Sequence, residues 1–343
     1  MQKKIIALAV AGLVSGAAFA QSNVTVYGVL DAGVYAWSGN DGSATGVVNG
    51  GLTTSRLGFK GEEALGNGLK AIFNLETAVN TDAVNGGGDT GWGSNRAANV
   101  GLTGGFGTVL VGLQGSLSDN WHGGVSEPMG NISSRNLMPA VVGRFSNEKA
   151  DGVSYYSPIF SGLQLAALYG TIDDVDTDTS SRSNYVQVAA KYANGPFAAA
   201  ATYARLKQNS ADSAPQDWTV GATYDFKVVK LYAAYELSQN VGANEDDNAV
   251  YTLGARVPVG KAGTIAASYS LADNDVKDTD YSAWQIGYEH ALSKRTTAYA
   301  SYMRLVNDDA SSAKPNKRFS GTGFAAGSDE SYNGVMVGLR HMF

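Results

Sequence analysis

The sequence predicts an all-β fold: a 16-stranded antiparallel transmembrane β-barrel whose third loop folds inward. Three observations carry that reading. Runs of about ten residues alternate apolar and polar side chains. Tight turns take turns with long polar connections. The chain also closes on a strand-like run, "SYNGVMVGLRHMF", with an aromatic, Phe343, as its last residue.

The opening, "MQKKIIALAVAGLVSGAAFAQ", sets Lys3 and Lys4 before an apolar stretch and the small-residue pattern Ala18-Phe19-Ala20. This is the form of a secretory signal peptide over residues 1–20, leaving a mature exported chain of 21–343. Read instead as a membrane anchor, the stretch is short for a span and carries Ser15 and small residues in its last third. Composition narrows the class. An exported chain with no cysteine has no disulfide framework and no thiol chemistry. Its 3 histidines, His122, His290 and His341, are far apart, which disfavours a histidine metal site. The formal charge of −6 becomes −8 once Lys3 and Lys4 are removed, 23 basic residues against 31 acidic. Nucleic acid is a poor partner for such a surface. Abundant glycine (43) with 18 tyrosines and only 7 prolines points to many strands and turns.

The predicted strands lie near 23 to 37, 52 to 62, 68 to 79, 96 to 104, 108 to 116, 151 to 158, 162 to 172, 184 to 193, 196 to 207, 217 to 226, 229 to 239, 247 to 257, 263 to 272, 279 to 290, 295 to 306 and 332 to 343. In "GTIAASYSLAD", Ile265, Ala267, Tyr269 and Leu271 oppose Thr264, Ala266, Ser268 and Ser270. "YSAWQIGYEH", "KLYAAYEL" and "SRLGFKGEE" alternate in the same way. Short joins such as "GNG", "GGFG", "NGP", "GKAG" and "LSKR" interleave with long ones such as "DDVDTDTSSRS", "SQNVGANEDDN" and 307–330. Alternation alone also suits a soluble β-sandwich. Chain length, the two loop sizes, the missing disulfides and the ending select the barrel. At sixteen strands the lumen holds water.

The longest connection, residues 116–149, reads "SLSDNWHGGVSEPMGNISSRNLMPAVVGRFSNEK". Trp121, Met129, Leu137, Met138 and Val141 make it too apolar for a loop in water, and a position against the lumen wall suits the mixture. An external receptor-like loop is the other reading. With the lumen narrowed, charged rings decide what passes. Arg56 falls on the polar parity of its strand, whereas Arg96 shares parity with Val100 and Leu102, leaving its direction open. Arg96 and Arg144 stand at strand starts; the loop offers Asp119 and Glu127, and the wall Lys60, Lys70 and Glu76. Each arginine alone fits an ordinary wall salt bridge equally well. An enzyme is not indicated: no Gly-x-Ser-x-Gly elbow precedes a helix. The acidic run from Asp173 to Asp178 lacks the Gly and terminal Glu of an EF-hand and reads as an outer loop meeting cations that bridge lipopolysaccharide.

In order along the chain, "QSNVTVYGVLDAGVY", "TTSRLGFKGEEALGNGLKAIFNLE", "GLTGGFGTVLVGLQ", "GVSYYSPIFSGLQLAALYG", "YEHALSKRTTAYASY" and "GVMVGLRHMF" resemble the general trimeric porins of Gram-negative outer membranes, in the β-proteobacterial branch. The resemblance covers the whole chain. It implies a homotrimer, a third loop forming the constriction, and passive diffusion of small hydrophilic solutes and ions without cofactor or chemical step. It also implies a basic wall cluster, matched by Arg56 in "SRLGFKG", Arg96 in "SNRAANVGL" and Arg144 in "VGRFSN", facing Asp119 and Glu127. Two departures stand out. Leu113 and Gln114 occupy positions where many relatives carry an arginine, and "SEPMG" differs from the Pro-Glu-Phe-Gly of better-known porins. A channel tuned to organic acids or phosphate, and a surface adhesin or structural barrel, are the alternative functions. In a barrel the last strand pairs with the first near Val24 to Tyr35, placing Phe343 in the periplasmic aromatic girdle. A terminal aromatic of this kind also resembles the signal read by the barrel assembly machinery; His341 departs from its usual pattern.

Overall fold

The computed structural model describes residues 23–39, 42–82, 92–138, 149–173, 182–207, 214–241, 246–309, 311, 313 and 331–343. The leader 1–20, Arg144 and the acidic run beyond Asp173 lie outside them. In order the strands are β1 Asn23–Gly39, β2 Gly42–Asn49, β3 Arg56–Gly66, β4 Leu69–Val79, β5 Trp92–Gly104, β6 Gly107–Gly115, β7 Lys149–Tyr156, β8 Leu163–Asp173, β9 Arg182–Asn194, β10 Phe197–Lys207, β11 Gln216–Asp225, β12 Lys230–Val241, β13 Asp246–Val259, β14 Gly263–Asn274, β15 Tyr281–Ala291, β16 Thr296–Asn307 and β17 Ser331–Met342. Three short helices follow β6: α1 Leu117–Trp121, α2 Gly123–Ser126 and α3 Ser134–Leu137, with a 3-10 turn at Gly130–Ile132.

Each strand pairs antiparallel with its neighbours, and β17 returns to β1, so the sheet is closed. β2 and β3 share one place in the ring: β2 pairs with the second half of β1 and β3 with the first half. Seventeen segments therefore make sixteen staves, as the alternation predicts. The second predicted strand, 52 to 62, is corrected. The chain turns straight back after β1, runs as β2, breaks over residues 50–55 and resumes at Arg56. Gly50, with φ +82, opens the break in a conformation that disfavours a side chain. The other predicted strands shift at their ends by up to four residues.

The sheet is apolar on its outside. Val24, Leu30, Val100, Val153, Leu165, Val220, Leu253 and Ile286 are all exposed on the outward parity. Every backbone group of a closed sheet is paired, so this face can meet lipid without unsatisfied donors. Aromatic pairs mark both ends of the belt. Toward the long loops Tyr203 meets Trp218 at 4.3 Å and Trp284 meets Tyr302 at 5.2 Å; toward the short turns Tyr224 meets Phe226 at 4.5 Å. Phe343 belongs to the second group. Its backbone exchanges two 3.1 Å hydrogen bonds with Gly28, and its ring lies over that glycine, where a β-carbon would collide with it. The chain end is thus held by the closing seam, β17 on β1 from Val29↔Met342 to Ser38↔Asn333.

Candidate channel and its lining

After β6 the chain enters the barrel. Ser116 caps α1 by accepting from the Asp119 amide at 3.0 Å. α1 packs on β8 to β10, α2 on β10 to β13 and α3 on β13 to β16, so the loop lies along the inner wall of one side. Apolar side chains and hydroxyls both hold it. Met129, Ile132, Leu137 and Met138 are buried with Trp37, Tyr299, Met303 and Leu305 of the wall, and Trp121 with Leu168 and Tyr185. Ser118 meets Thr202 at 2.7 Å, which meets Thr219 at 2.6 Å; Ser134 meets Ser270 at 2.8 Å. At Gly221 and Gly254, as at Gly287 under Met129, the wall lacks a side chain where the loop comes close. A β-carbon at Gly221 or Gly254 would stand 2.7 Å from Val125 and Pro128 respectively.

One carboxylate ties the loop down electrostatically. Glu236 of β12 is almost fully buried; Arg135 Nη2 donates to its Oε2 at 2.6 Å and Arg135 Nε to its Oε1 at 2.8 Å, while His122 Nε2 lies 3.2 Å away. From below, Arg256 donates to the Pro128 carbonyl and pairs with Glu289 at 2.7 Å. At its far end the loop meets the break between β2 and β3: Asn131 donates from its amide to the Leu52 carbonyl at 3.0 Å and from its side chain to Gly50 at 2.9 Å. That break is itself organised by Asp31, fully buried on β1. Its Oδ2 accepts from the Leu52 and Thr53 amides, both at 2.8 Å, and its Oδ1 from the Tyr299 hydroxyl at 2.7 Å.

On the other side of the loop lies an open lumen of about 1440 Å³, bounded by β3 to β7 with the start of β1 and the end of β2. Arg56, Lys60, Glu76, Arg96, Asp119 and Glu127 all line it. Glu76 is the hub of the wall. Arg96 Nε donates to its Oε1 at 2.6 Å, Arg56 Nη1 stands 3.6 Å from the same oxygen, and the Tyr27 hydroxyl donates to Oε2 at 2.8 Å. Arg56 is steadied by the break, donating to the Thr54 carbonyl at 3.1 Å and the Thr53 hydroxyl at 2.9 Å. Lys60 lies over the Tyr27 ring at 5.1 Å.

The inward direction of Arg96 has a clear cause. Glu76 pairs with Ala97 but Thr77 pairs with Asn95, so Arg96 is the extra residue of a β-bulge. A bulge shifts parity by one, which lets Val100 and Leu102 face outward while Arg96 faces the lumen. Lys70 is corrected. It pairs with Glu62 at 2.7 Å beside the short turn after β3, four residues along β4 from the inward-facing Asn74, and is absent from the lumen lining. Asp119 and Glu127 line the same lumen as Arg56 and Arg96. Glu127 accepts from the Asn136 side chain, and burial raises its carboxyl above the ordinary value, with the Arg135 charge opposing that rise. Sequence reasoning did not single out Asp31, Arg135 or Glu236. The available signal was a lone charge at an inward position of an otherwise apolar strand, "VLDAGVY" for Asp31 and "YAAYEL" for Glu236.

A closed sixteen-stranded barrel, apolar outside, girdled by aromatics and wet within, is a membrane-spanning diffusion channel. A model of the Gram-negative porin family matches residues 7–310, and the chain belongs to that family. Outer membrane porin protein 32 of Delftia acidovorans is 34% identical over the full length of both chains, and an outer membrane porin protein of Bordetella pertussis 27%, also over both full lengths. Among solved structures, an anion-selective porin from Comamonas acidovorans superposes with a TM-score of 0.78 at 30% identity, covering 94% of this chain and 100% of that one. Salmonella typhi OmpF, in complex with daunomycin, shares the fold at a TM-score of 0.72 and 17% identity, covering 93% and 97%. The chain is therefore an outer-membrane porin that crosses the membrane with each stave and passes solutes by diffusion.

Proposed function

We propose that this porin is an anion-preferring general diffusion channel, narrowed where the loop of residues 116–149 faces the wall that carries Arg56 and Arg96. The observation that carries the reading is the convergence of two arginines on the single carboxylate Glu76, with Lys60 close by. The wall keeps a net positive charge there, and a fixed positive field in a low-dielectric constriction concentrates small anions. Asp119 and Glu127 on the loop moderate that preference. The anion selectivity named for the Comamonas relative supports the same direction. Solutes are small and hydrophilic, and there is no chemical step.

The working unit in this reading is a homotrimer. Outward Tyr and Trp toward the long-loop ends occur on β8 and β10 to β16, at Tyr169, Tyr203, Trp218, Tyr235, Tyr251, Tyr269, Trp284 and Tyr302. Among the described outward side chains of β17 and β1 to β6, aliphatic residues prevail, at Val337, Val34, Val47, Leu75, Val100 and Val111, with Phe59 beside Leu75. A face without its headgroup-level aromatics suits contact with another copy rather than with lipid. Phe343 serves assembly, and the leader 1–20 directs export. Reversal potential in a KCl gradient tests the selectivity: Arg56→Ala should lower the anion/cation permeability ratio, and an unchanged ratio would remove the cluster from the mechanism.

A further inference from the structure

Beneath the arginines the lumen wall turns apolar. Ile72 of β4, Leu110 of β6 and Tyr156 of β7 stand on inward positions, are partly exposed, and line the open channel. Gly101 lies between Ile72 and Leu110 in register, so no side chain interrupts the patch. Behind Tyr156, the buried Trp121 of the loop backs the strip at 6.0 Å. On the β3 side Glu62 stands in register with Ile72, its charge offset by Lys70 at 2.7 Å, and Lys60, two residues along, lies over the Tyr27 ring at 5.1 Å; on the loop side Lys191 lies over the Trp121 ring at 5.0 Å. A water-filled lumen gains nothing from aliphatic wall residues, and inward positions of such barrels are ordinarily polar. The neighbours Asn74, Asn99, Thr103 and Thr108 follow that rule; Ile72 and Leu110 break it.

We propose that this strip is a subsite for amphipathic carboxylates, small monocarboxylates with an aromatic or branched apolar body. The inference rests on the anion-preferring reading of the same channel and names a solute class for it. Spacing supports the pairing of head and body. Lys60 pairs in register with Asn74, two residues along β4 from Ile72, and Arg96 binds Glu76, four residues along. At about 3.3 Å per residue the cationic rows stand roughly 7 and 13 Å above the apolar one. A carboxylate held at Lys60 brings a single ring toward Ile72, and Leu110, two strands further round the wall, extends the apolar surface along which the solute moves. Such contacts are weak enough to release the solute, as conduction requires.

The test uses potassium benzoate and potassium acetate against KCl across a planar bilayer, with wild type and Ile72→Ser/Leu110→Ser. In wild type the benzoate/acetate permeability ratio is expected to exceed the ratio of their free mobilities by about fivefold, the effect of one ring face leaving water. In the double variant it should fall to the mobility ratio. Leu110→Ala alone should fall between, and it decides the matter where the double variant does not give folded channels. A wild-type ratio equal to the mobility ratio, or an excess that survives both variants, overturns the strip. Chloride/potassium reversal potential on the same channels separates the two readings. Chloride preference without benzoate excess overturns only the subsite, whereas absent chloride preference overturns the anion reading beneath it.

Discussion

Replacing Glu76 by Gln separates charge from shape at the wall. Glutamine is nearly isosteric and can still accept from Tyr27, whose hydroxyl now bonds Glu76 at 2.8 Å and Asn74 at 2.9 Å. The charge of the Arg56, Arg96 and Glu76 group rises from +1 to +2. For an ion passing about 5 Å away in water, one added unit charge is worth ~0.8 kcal/mol before screening. At 0.1 M salt, with a Debye length of about 10 Å, this falls to ~0.5 kcal/mol. That is about a twofold gain for anions and an equal loss for cations, hence roughly a fivefold rise in the anion/cation ratio. At 1 M salt the Debye length of about 3 Å reduces the rise to less than twofold. The assay is zero-current potential across a KCl gradient, repeated at both mean concentrations. An unchanged or lowered ratio at 0.1 M, or a rise equally large at 1 M, would refute the claim that this carboxylate tempers the wall's field.

Other consequences concern the loop and the chain end. Because burial raises the Glu127 carboxyl above its ordinary 4.5, it gains a proton as pH falls through that raised value. The loop then loses a negative charge facing the wall, so anion preference should rise on acidification, and Glu127→Gln should remove that part of the pH dependence in reversal-potential titrations. For stability the sign is the same: the folded loop holds the proton more tightly than the unfolded chain, so docking strengthens as pH falls toward 4.5 and gains no more below it. Glu236→Gln leaves Arg135 buried without its counter-ion, a change that costs about 3–5 kcal/mol. The expected result is noisier single-channel current and a lower heat-dissociation temperature on gels, with Glu236→Asp less affected. Deleting Phe343 removes the paired bonds to Gly28 and should cut the yield of assembled barrels in the outer membrane, while the channels that form keep their unitary conductance.

Period-2 alternation revealed the staves because each strand has one face in lipid and one in water, a contrast repeated at every position. Two features escaped it for physical reasons. A bulge carries no composition of its own: Arg96 reads as outward from Val100 and Leu102, and only pairing with β4 shows the slipped residue. The break at 50–55 hides likewise, because what holds it open is Asp31 on β1 and Tyr299 on β16, 268 residues further along the chain than Asp31. Lys70 shows a different limit. Its parity is correct, but parity says nothing of height along the barrel axis, and it sits by the short turn with Glu62.

The position of the loop also decides which charges count. Against β8 to β16 the inner wall is sealed by the loop: Glu236, Ser270, Gln285 and Thr219 are buried, and their polarity is spent on Arg135, Ser134 and other hydroxyls and amides. An inward position there is polar because it must bond the loop, not because it touches solute. On β3 to β7 the same parity faces open water. In the proposed reading selectivity is therefore confined to one arc, where Arg56, Lys60, Glu76 and Arg96 lie within a few residues of Ile72 and Leu110. A neutral change at the sealed arc acts through loop docking and alters noise and heat stability. A neutral change of similar size on the open arc alters which solutes pass.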